Sequence, residues 1–291
     1  MRIDHPYKNL KGGAWLRGNL HTHSTRSDGA HAPQDVLNLY AKAGYDFLMM
    51  SDHDVYTTEA DYKALDSRGL VLITGNEISA KGVHLLHVHA DKLVSPHEDR
   101  QQVIHEIAQG RGFSIVNHPM WFREFDHCTF DKLEAWQGYA GIEIYNGVIG
   151  RLHGSPYALD YWDRLLARDR RVWGYAHDDF HNKEKGDFAL GWNVVYAKRN
   201  PKSIVEALRH GRFYASTGVE ITDIAVKGRR IRIKTRNAER IVAMRDVAQR
   251  IAVADKKELT IEVPADAKYI RFECWGRGEK FAWTQPFWIV K

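Results

Sequence analysis

Residues 16–29 read LRGNLHTHSTRSDG. Leu16 to His21 has the composition of a short strand, and Asp28-Gly29 marks a turn. His21 and His23 stand two apart at the end of that strand, so both imidazoles face one side. Two neighbouring imidazoles in an interior are hard to satisfy by hydrogen bonds, whereas one metal cation satisfies both through nitrogen. A pair of capped surface histidines is the plain alternative, so the rest of the chain has to decide.

The same device recurs. Ser51-Asp52-His53-Asp54 follows the apolar run DFLMM, Glu77 follows LVLIT, and His118 follows FSIVN. His84, His87 and His89 lie within VHLLHVHA at 83–90, and His177, Asp178, Asp179 and His181 follow RVWG. Further strand-like runs are GIEIYN at 141–146 and WNVVYA at 192–197. Between them lie helical stretches. Residues 33–45 place Val36, Leu37 and Tyr40 on one face, with Pro33 at the start and Gly44 as the stop. Residues 98–112 place Val103, Ile104, Ile107 and Ala108 on one stripe and end at Gly110. Strand–helix alternation predicts an α/β fold with a mostly parallel sheet, and the number of units favours a barrel over an open sheet. Six strand C-termini would then carry His, Asp or Glu to one rim, where barrels build active sites. One such coincidence is ordinary; six together predict a multinuclear metal site.

After residue 220 the pattern changes to period-two strands such as IRIKT, LTIEV and YIRFECW, separated by turn residues. The expected organisation is a barrel over 1–219 and a small all-β, sandwich-like domain over 220–291. Charge follows the same division. The formal net charge is +5, but residues 221–291 hold 16 basic against 9 acidic side chains, a surplus of +7. The first 220 residues are slightly acidic, so the charge does not favour a nucleic-acid-binding protein. No run approaches the ~18 apolar residues of a membrane helix. The N-terminus lacks an apolar signal core, and Cys128 and Cys274 form no spacing motif, so a cytoplasmic protein is the expectation. There is no G-x-S-x-G elbow, Walker-type loop or plausible catalytic cysteine.

His21-x-His23, Asp28-Gly29, Ser51-Asp52-His53, Glu77, Asn117-His118-Pro119 and Asp179-x-His181 resemble, in order, the signature of the PHP (polymerase and histidinol phosphatase) superfamily. The resemblance implies a distorted (βα)7 barrel with two or three divalent ions, zinc, manganese or iron. It implies one metal held by His21, His23, Glu77 and Asp179. A second would be held by Glu77, His118 and one of the 84–89 histidines, with His84 favoured and His87 as alternative. A third would be held by Asp28, His53 and His181. The opening WLRGNLHTHSTRSDG and the ending AWTQPFWI are similar to the carbaryl-hydrolase type of PHP-like hydrolase, which also carries a β-rich tail.

The activity so implied is a metal-dependent hydrolase, foremost a phosphoesterase that cleaves a small phosphate ester or nucleotide with a metal-bridged hydroxide. A carbamate, amide or ester is the alternative bond, and a non-catalytic polyanion binder working through the basic tail is the third reading. A small anionic molecule is the expected partner. His177 is a candidate proton donor or the partner of a ligand carboxylate, and Asp179 is counted with it in the catalytic set. Arg26, Arg123, Arg151 and Asn146 are candidate substrate contacts, and Asp52 and Asp54 are candidate supports for ligand imidazoles.

Overall fold

The computed structural model describes residues 2–8, 10–122 and 126–290. It is a mixed α/β fold with many strands and few helices. The strand Ala14–Asn19 pairs in parallel with Phe47–Leu48, which pairs in parallel with Val71–Leu72. A second sheet runs in the order Gly75–Ile78, Leu85–Val88, Phe113–Val116, Gly141–Asn146, Trp173–His177.

The expected mostly parallel sheet is only partly present. Phe113–Val116, Gly141–Asn146 and Trp173–His177 are parallel. The first three strands of that sheet are antiparallel neighbours, as are Trp192–Ala197 and Ala14–Asn19. Ile78 and Leu85 are joined by a tight reversal through Lys81 at φ 69° and Gly82 at φ 154°. A connection that short permits only antiparallel pairing.

The (βα)7 barrel of the sequence expectation is not seen as a closed ladder among the described residues. Strands 47–48 and 71–72 are two residues long. Isolated bridges, His53 to Glu77 and Thr57 to Gly75, link the two sheets there. The sheets still enclose one apolar core, with Leu16, Leu20, Phe47, Met49, Leu86, Ile115, Tyr175 and Val195.

The helix Pro33–Lys42 buries Val36, Leu37 and Tyr40 as its stripe requires. The helix Arg100–Ala108 buries Val103, Ile104 and Ile107 against Ile78, Leu85 and Val116. Ala108, expected on that stripe, is exposed.

The chain after 220 is all β. Ile221–Lys227, Arg230–Thr235 and Glu258–Glu262 form a three-stranded sheet. Tyr269–Trp275, Phe281–Thr284 and Phe287–Val290 join the sheet of Phe213–Ser216, Trp192–Ala197 and Ala14–Asn19, and Arg2–Asp4 caps its edge. Arg240–Arg245 and Gln249–Ala254 form a hairpin with no sequence turn signal: Asp246, Val247 and Ala248 all have positive φ (30°, 53° and 61°). Ile231, Ile233, Ile241, Ile261, Ile270 and Phe272 form the core of this region.

A buried ion cluster ties the two parts of the chain. Asp163, on the helix Leu159–Ala167, accepts from Arg271 Nε at 2.7 Å and from Tyr269 Oη at 2.9 Å. Arg271 also donates to Glu273 at 2.8 Å. Among the described residues no helix is long and apolar enough to cross a membrane.

Candidate metal centre

Three of the segments that carry predicted ligands, 21–29, 51–54 and 179–181, are laced together by the backbone. Thr22 bridges Phe180, and His23 N–H donates to the Phe180 carbonyl at 2.8 Å. Thr22 N–H donates to Ser51 Oγ at 2.9 Å. Gly29 lies so close to His23 that a Cβ would sit 2.5 Å from the His23 carbonyl, so only glycine closes this turn. Asp52 accepts from Ser24 N–H at 2.8 Å and from Ser27 Oγ at 2.9 Å. Asp54 accepts from Ser79 N–H at 3.1 Å and Ala80 N–H at 3.0 Å. Both acids therefore brace loops and do not support imidazoles, which corrects the sequence expectation.

All nine sequence-predicted ligands fall in one contiguous cluster. Glu77 is central. Its Oε1 lies 3.1 Å from His84 Nδ1, 3.3 Å from His21 Nε2 and 3.4 Å from His118 Nε2. Its Oε2 lies 2.8 Å from His53 Nδ1 and 3.5 Å from His23 Nε2. Asp179 Oδ1 lies 3.1 Å from His21 Nε2, 3.2 Å from His23 Nε2 and 3.5 Å from His181 Nδ1. Asp28 Oδ2 lies 3.4 Å from His181 Nε2 and 3.6 Å from His53 Nε2. His84, the favoured histidine of its strand, is the one beside Glu77. His87 packs behind Gly112, where a Cβ in place of the glycine hydrogen would meet its Nε2 at 2.5 Å.

Two members have no counterpart in the sequence reading. Glu143 accepts from His21 Nδ1 at 2.7 Å, from His177 Nδ1 at 2.8 Å and from the His118 backbone N–H at 2.7 Å. It sits inside the apolar strand Gly141–Asn146, and a lone acid in GIEIYN was the available signal. His127 accepts from His84 N–H at 3.0 Å and packs its ring 4.8 Å from that of His118. It follows no strand, so its position carried no signal.

The remaining candidates are placed as follows. His177 is fully buried against Glu143, as the partner of a carboxylate. Asn146 donates to Glu143 Oε2 at 2.8 Å and Asp179 Oδ2 at 3.2 Å; buried behind the cluster, it braces carboxylates. Arg26 turns to Thr57 Oγ1 at 3.2 Å and Asp61 at 3.5 Å. Arg151 lines the cavity over the cluster, with Nε 2.5 Å and Nη2 2.7 Å from the two oxygens of Asp187. Arg123 lies outside the described residues.

The donors fit divalent cations. His21 Nε2, both nitrogens of His23, Glu77 Oε2 and Asp179 Oδ1 are buried without a hydrogen-bond partner. Unpaired buried polar atoms are costly, and so many in one cluster point to a shared ligand. Donor atoms of His23, Asp28, His53 and His181 lie within 4.8 Å of one another, as do those of His21, His23 and Asp179, and of His21, Glu77 and His118. Imidazole nitrogen with carboxylate oxygen suits zinc, manganese or iron.

Electrostatics agree. Burial opposes charge on His53, but Glu77 and Asp28 outweigh it and push its pKa up to about 10. Burial likewise opposes charge on His181, and Asp28 and Asp179 lift it to about 9. Burial disfavours ionised Glu77 and Asp179, yet surrounding imidazoles hold both well below the usual carboxylate range. The carboxylates thus demand positive charge, which protons on imidazoles or metal ions supply in competition. Asp179 at φ 55° and His118 at φ 24° add backbone strain at the same spot.

Glu143 holds the His21 imidazole and does not line the cavity. Glu143→Gln is expected to weaken metal binding about 10- to 100-fold by chelator competition. An unchanged affinity would show that the Glu143–His21 contact does not support the ligand.

No family model matches the chain. The fold is similar to a two-domain protein from Bacteroides vulgatus ATCC 8482 described as containing a predicted PHP-like metal-dependent phosphoesterase. That likeness covers 100% of this chain and 90% of that one, with a TM-score of 0.59 and 17% identity. An amidohydrolase from Chromobacterium violaceum, with bound sulfate, aligns over 58% of this chain and 88% of its own, with a TM-score of 0.42 and 16% identity. In sequence, 80 residues are 36% identical to a 5′-3′ exoribonuclease of Haemophilus influenzae. That match spans 25% of this chain and 29% of the length of the curated relative.

Proposed function

We propose that this chain is a metal-dependent hydrolase of the PHP type, with a phosphate ester as the foremost substrate. The observation that carries the proposal is the contiguous cluster of nine histidine and carboxylate ligands beneath a cavity of about 290 Å³. Fold similarity to a PHP-like protein supports it. The matched segment of an exoribonuclease supports a phosphoester bond.

In the proposed arrangement His21, His23, Glu77 and Asp179 hold one ion. Glu77, His84 and His118 hold a second, and Asp28, His53 and His181 hold a third. When bound, such ions supply Lewis acidity toward substrate oxygens and make water acidic enough to serve as nucleophile near neutral pH. The chain's own residues fix the donors. Glu143 accepts the Nδ1 hydrogen of His21, which leaves the His21 Nε2 lone pair directed at Glu77 and Asp179. Asn117 donates to Glu77 Oε1 at 2.6 Å and fixes the central carboxylate. His177, held by the same Glu143, is a positioning residue in this scheme.

A second bond type, carbamate or carboxylic ester, is favoured by one feature: the cavity wall opposite the donors is apolar, with Val148, Ile149 and Leu152. The β-rich tail and the motif at its end favour a place within the carbaryl-hydrolase type of PHP-like hydrolase. We place the protein in the cytoplasm, where its two buried, unpaired cysteines would stay reduced.

Chelation provides the test. Treatment with EDTA is expected to remove p-nitrophenyl phosphate hydrolysis, and added manganese or zinc to restore it. Full activity in the metal-stripped protein would refute the proposal.

A further inference from the structure

A second cavity, of about 480 Å³, shares no residue with the one over the donors. Its floor is the outer face of a sheet. In Ala14–Asn19, Leu16 packs into the core beside Phe47 and Val195, so Trp15 and Arg17 point the other way. Arg17 stands in register with Val194, and Val194 with Tyr214, which makes a row across three strands. Trp192, two residues before Val194, lies on the same face. Residues 218–222 form the opposite wall. The cavity thus lies where the sheet beside the metal centre meets the start of the all-β region, a kind of junction that often holds ligands.

Both walls are built in advance. The Trp15 ring meets Tyr196 and Tyr214 edge-on, at 5.3 and 5.4 Å between centroids. Ile221 N–H donates to Tyr214 Oη at 3.3 Å. Asn237 donates to the Gly218 carbonyl at 2.8 Å and accepts from Glu220 N–H at 2.9 Å. The pairing of Ile221–Lys227 slips in register between Ile221 and Asp223, and this bulge sets the exposed Thr222 at the cavity edge.

Arg17 is the group this arrangement leaves unanswered. Its guanidinium lies 3.6 Å from the centroid of the Trp192 ring and 4.0 Å from that of Tyr45, and Nη2 donates to Tyr45 Oη at 3.0 Å. Stacking holds the cation in place without neutralising it. Nε is buried with no hydrogen-bond partner, and among the described residues no carboxylate pairs with the guanidinium. The acids that line the cavity are committed elsewhere. Asp46 accepts from the Arg17 backbone N–H at 2.8 Å and pairs with Arg199, while Glu220 takes Arg236 at 3.0 Å.

We propose that this cavity is a binding site, separate from the metal centre, for a small aromatic carboxylate. The carboxylate would sit on the Arg17 guanidinium, and the ring against Trp15, Trp192 and Val194. A single negative charge matches a single open cation. A phosphate would bring a second charge toward Asp46 and Glu220, which selects against it.

Calorimetry on the full-length, metal-loaded protein tests this with indole-3-carboxylate, acetate, indole-3-carboxamide and phenylphosphonate. Indole-3-carboxylate is expected to bind at least about tenfold tighter than acetate, which lacks the ring, and than the amide, which lacks the charge. Arg17→Met is expected to weaken it about 10- to 100-fold, the loss of one charge-assisted contact. Thr222→Glu, at an exposed position that leaves the core intact, is expected to weaken it about fivefold or more by adding a like charge at the edge. A carboxylate that binds no better than the amide or than acetate would overturn the inference. Binding that neither substitution changes would place the probe at the metal centre and overturn it as well. Phenylphosphonate binding that exceeds that of indole-3-carboxylate and falls with Arg17→Met would overturn the choice of a singly charged ligand.

Discussion

Glu77→Gln is expected to empty the metal centre and to lower the rate of phosphate ester hydrolysis by about a thousandfold or more. Glu77 stands between 2.8 and 3.5 Å from His53, His84, His21, His118 and His23, five imidazoles from four separate segments of the chain. It is fully buried, and its charge is the one all five share. A glutamine keeps the volume and one acceptor but loses the charge that compensates a cation. Transition-state stabilisation by bound metal is worth several kcal/mol, and each 1.4 kcal/mol is tenfold in rate, which sets the scale. The comparison to make is kcat/KM for p-nitrophenyl phosphate in metal-supplemented buffer, wild type against variant, with circular dichroism to check the fold. A variant within tenfold of wild type would remove Glu77 from the chemistry.

The largest expected effect on stability lies far from the cavity. Arg271→Met is expected to destabilise the protein by about 3–5 kcal/mol. Arg271 is 1% exposed, and its partners Asp163 and Glu273 are buried as well. Removing the guanidinium leaves two carboxylates close together in an interior, and an uncompensated buried charge costs more than the ion pair contributes. Because Asp163 lies on the helix Leu159–Ala167 and Arg271 on the strand Tyr269–Trp275, the loss also loosens the contact between the two parts of the chain. Urea unfolding checks the size. Asp163→Asn combined with Arg271→Met should cost less than the sum of the single changes, since residues in one network are coupled. Additive losses below about 1 kcal/mol would show that the network is incidental.

The donor cluster was readable in the sequence because its chemistry is local. His21, His53, Glu77, His118 and Asp179 each follow an apolar run, and a histidine or acid in that position has few structural reasons to be there. The closing of strands into sheets was not readable. Whether Gly75–Ile78 pairs with Val71–Leu72 or with Leu85–Val88 depends on contacts between segments, and the two-residue strands at 47–48 and 71–72 break the ladder a barrel would need. The hairpin 240–254 escaped notice because Asp246, Val247 and Ala248 make its turn where glycine or asparagine is expected. Glu143 and His127 were missed for a related reason. Their roles come from what the fold sets beside them.

The basic surplus of the last quarter is also clearer in three dimensions. Arg232, Arg236 and Arg240 pair with Asp223, Glu220 and Asp255, and Lys234 with Glu258. Lys268 and Arg271 reach acids of the earlier chain, Asp169 and Asp163. Much of the positive charge is thus spent within the fold, and exposed pairs of this kind leave a weak, salt-screened field. A polyanion-binding role for this region gains nothing from the geometry.

The central claim is that nine side chains form one divalent metal centre. Elemental analysis by plasma mass spectrometry, on protein stripped, reloaded with manganese or zinc and desalted, addresses it most directly. More than one ion per chain is expected in the wild type, with that content lost in Glu77→Gln. A wild-type chain that retains no stoichiometric metal would contradict the claim.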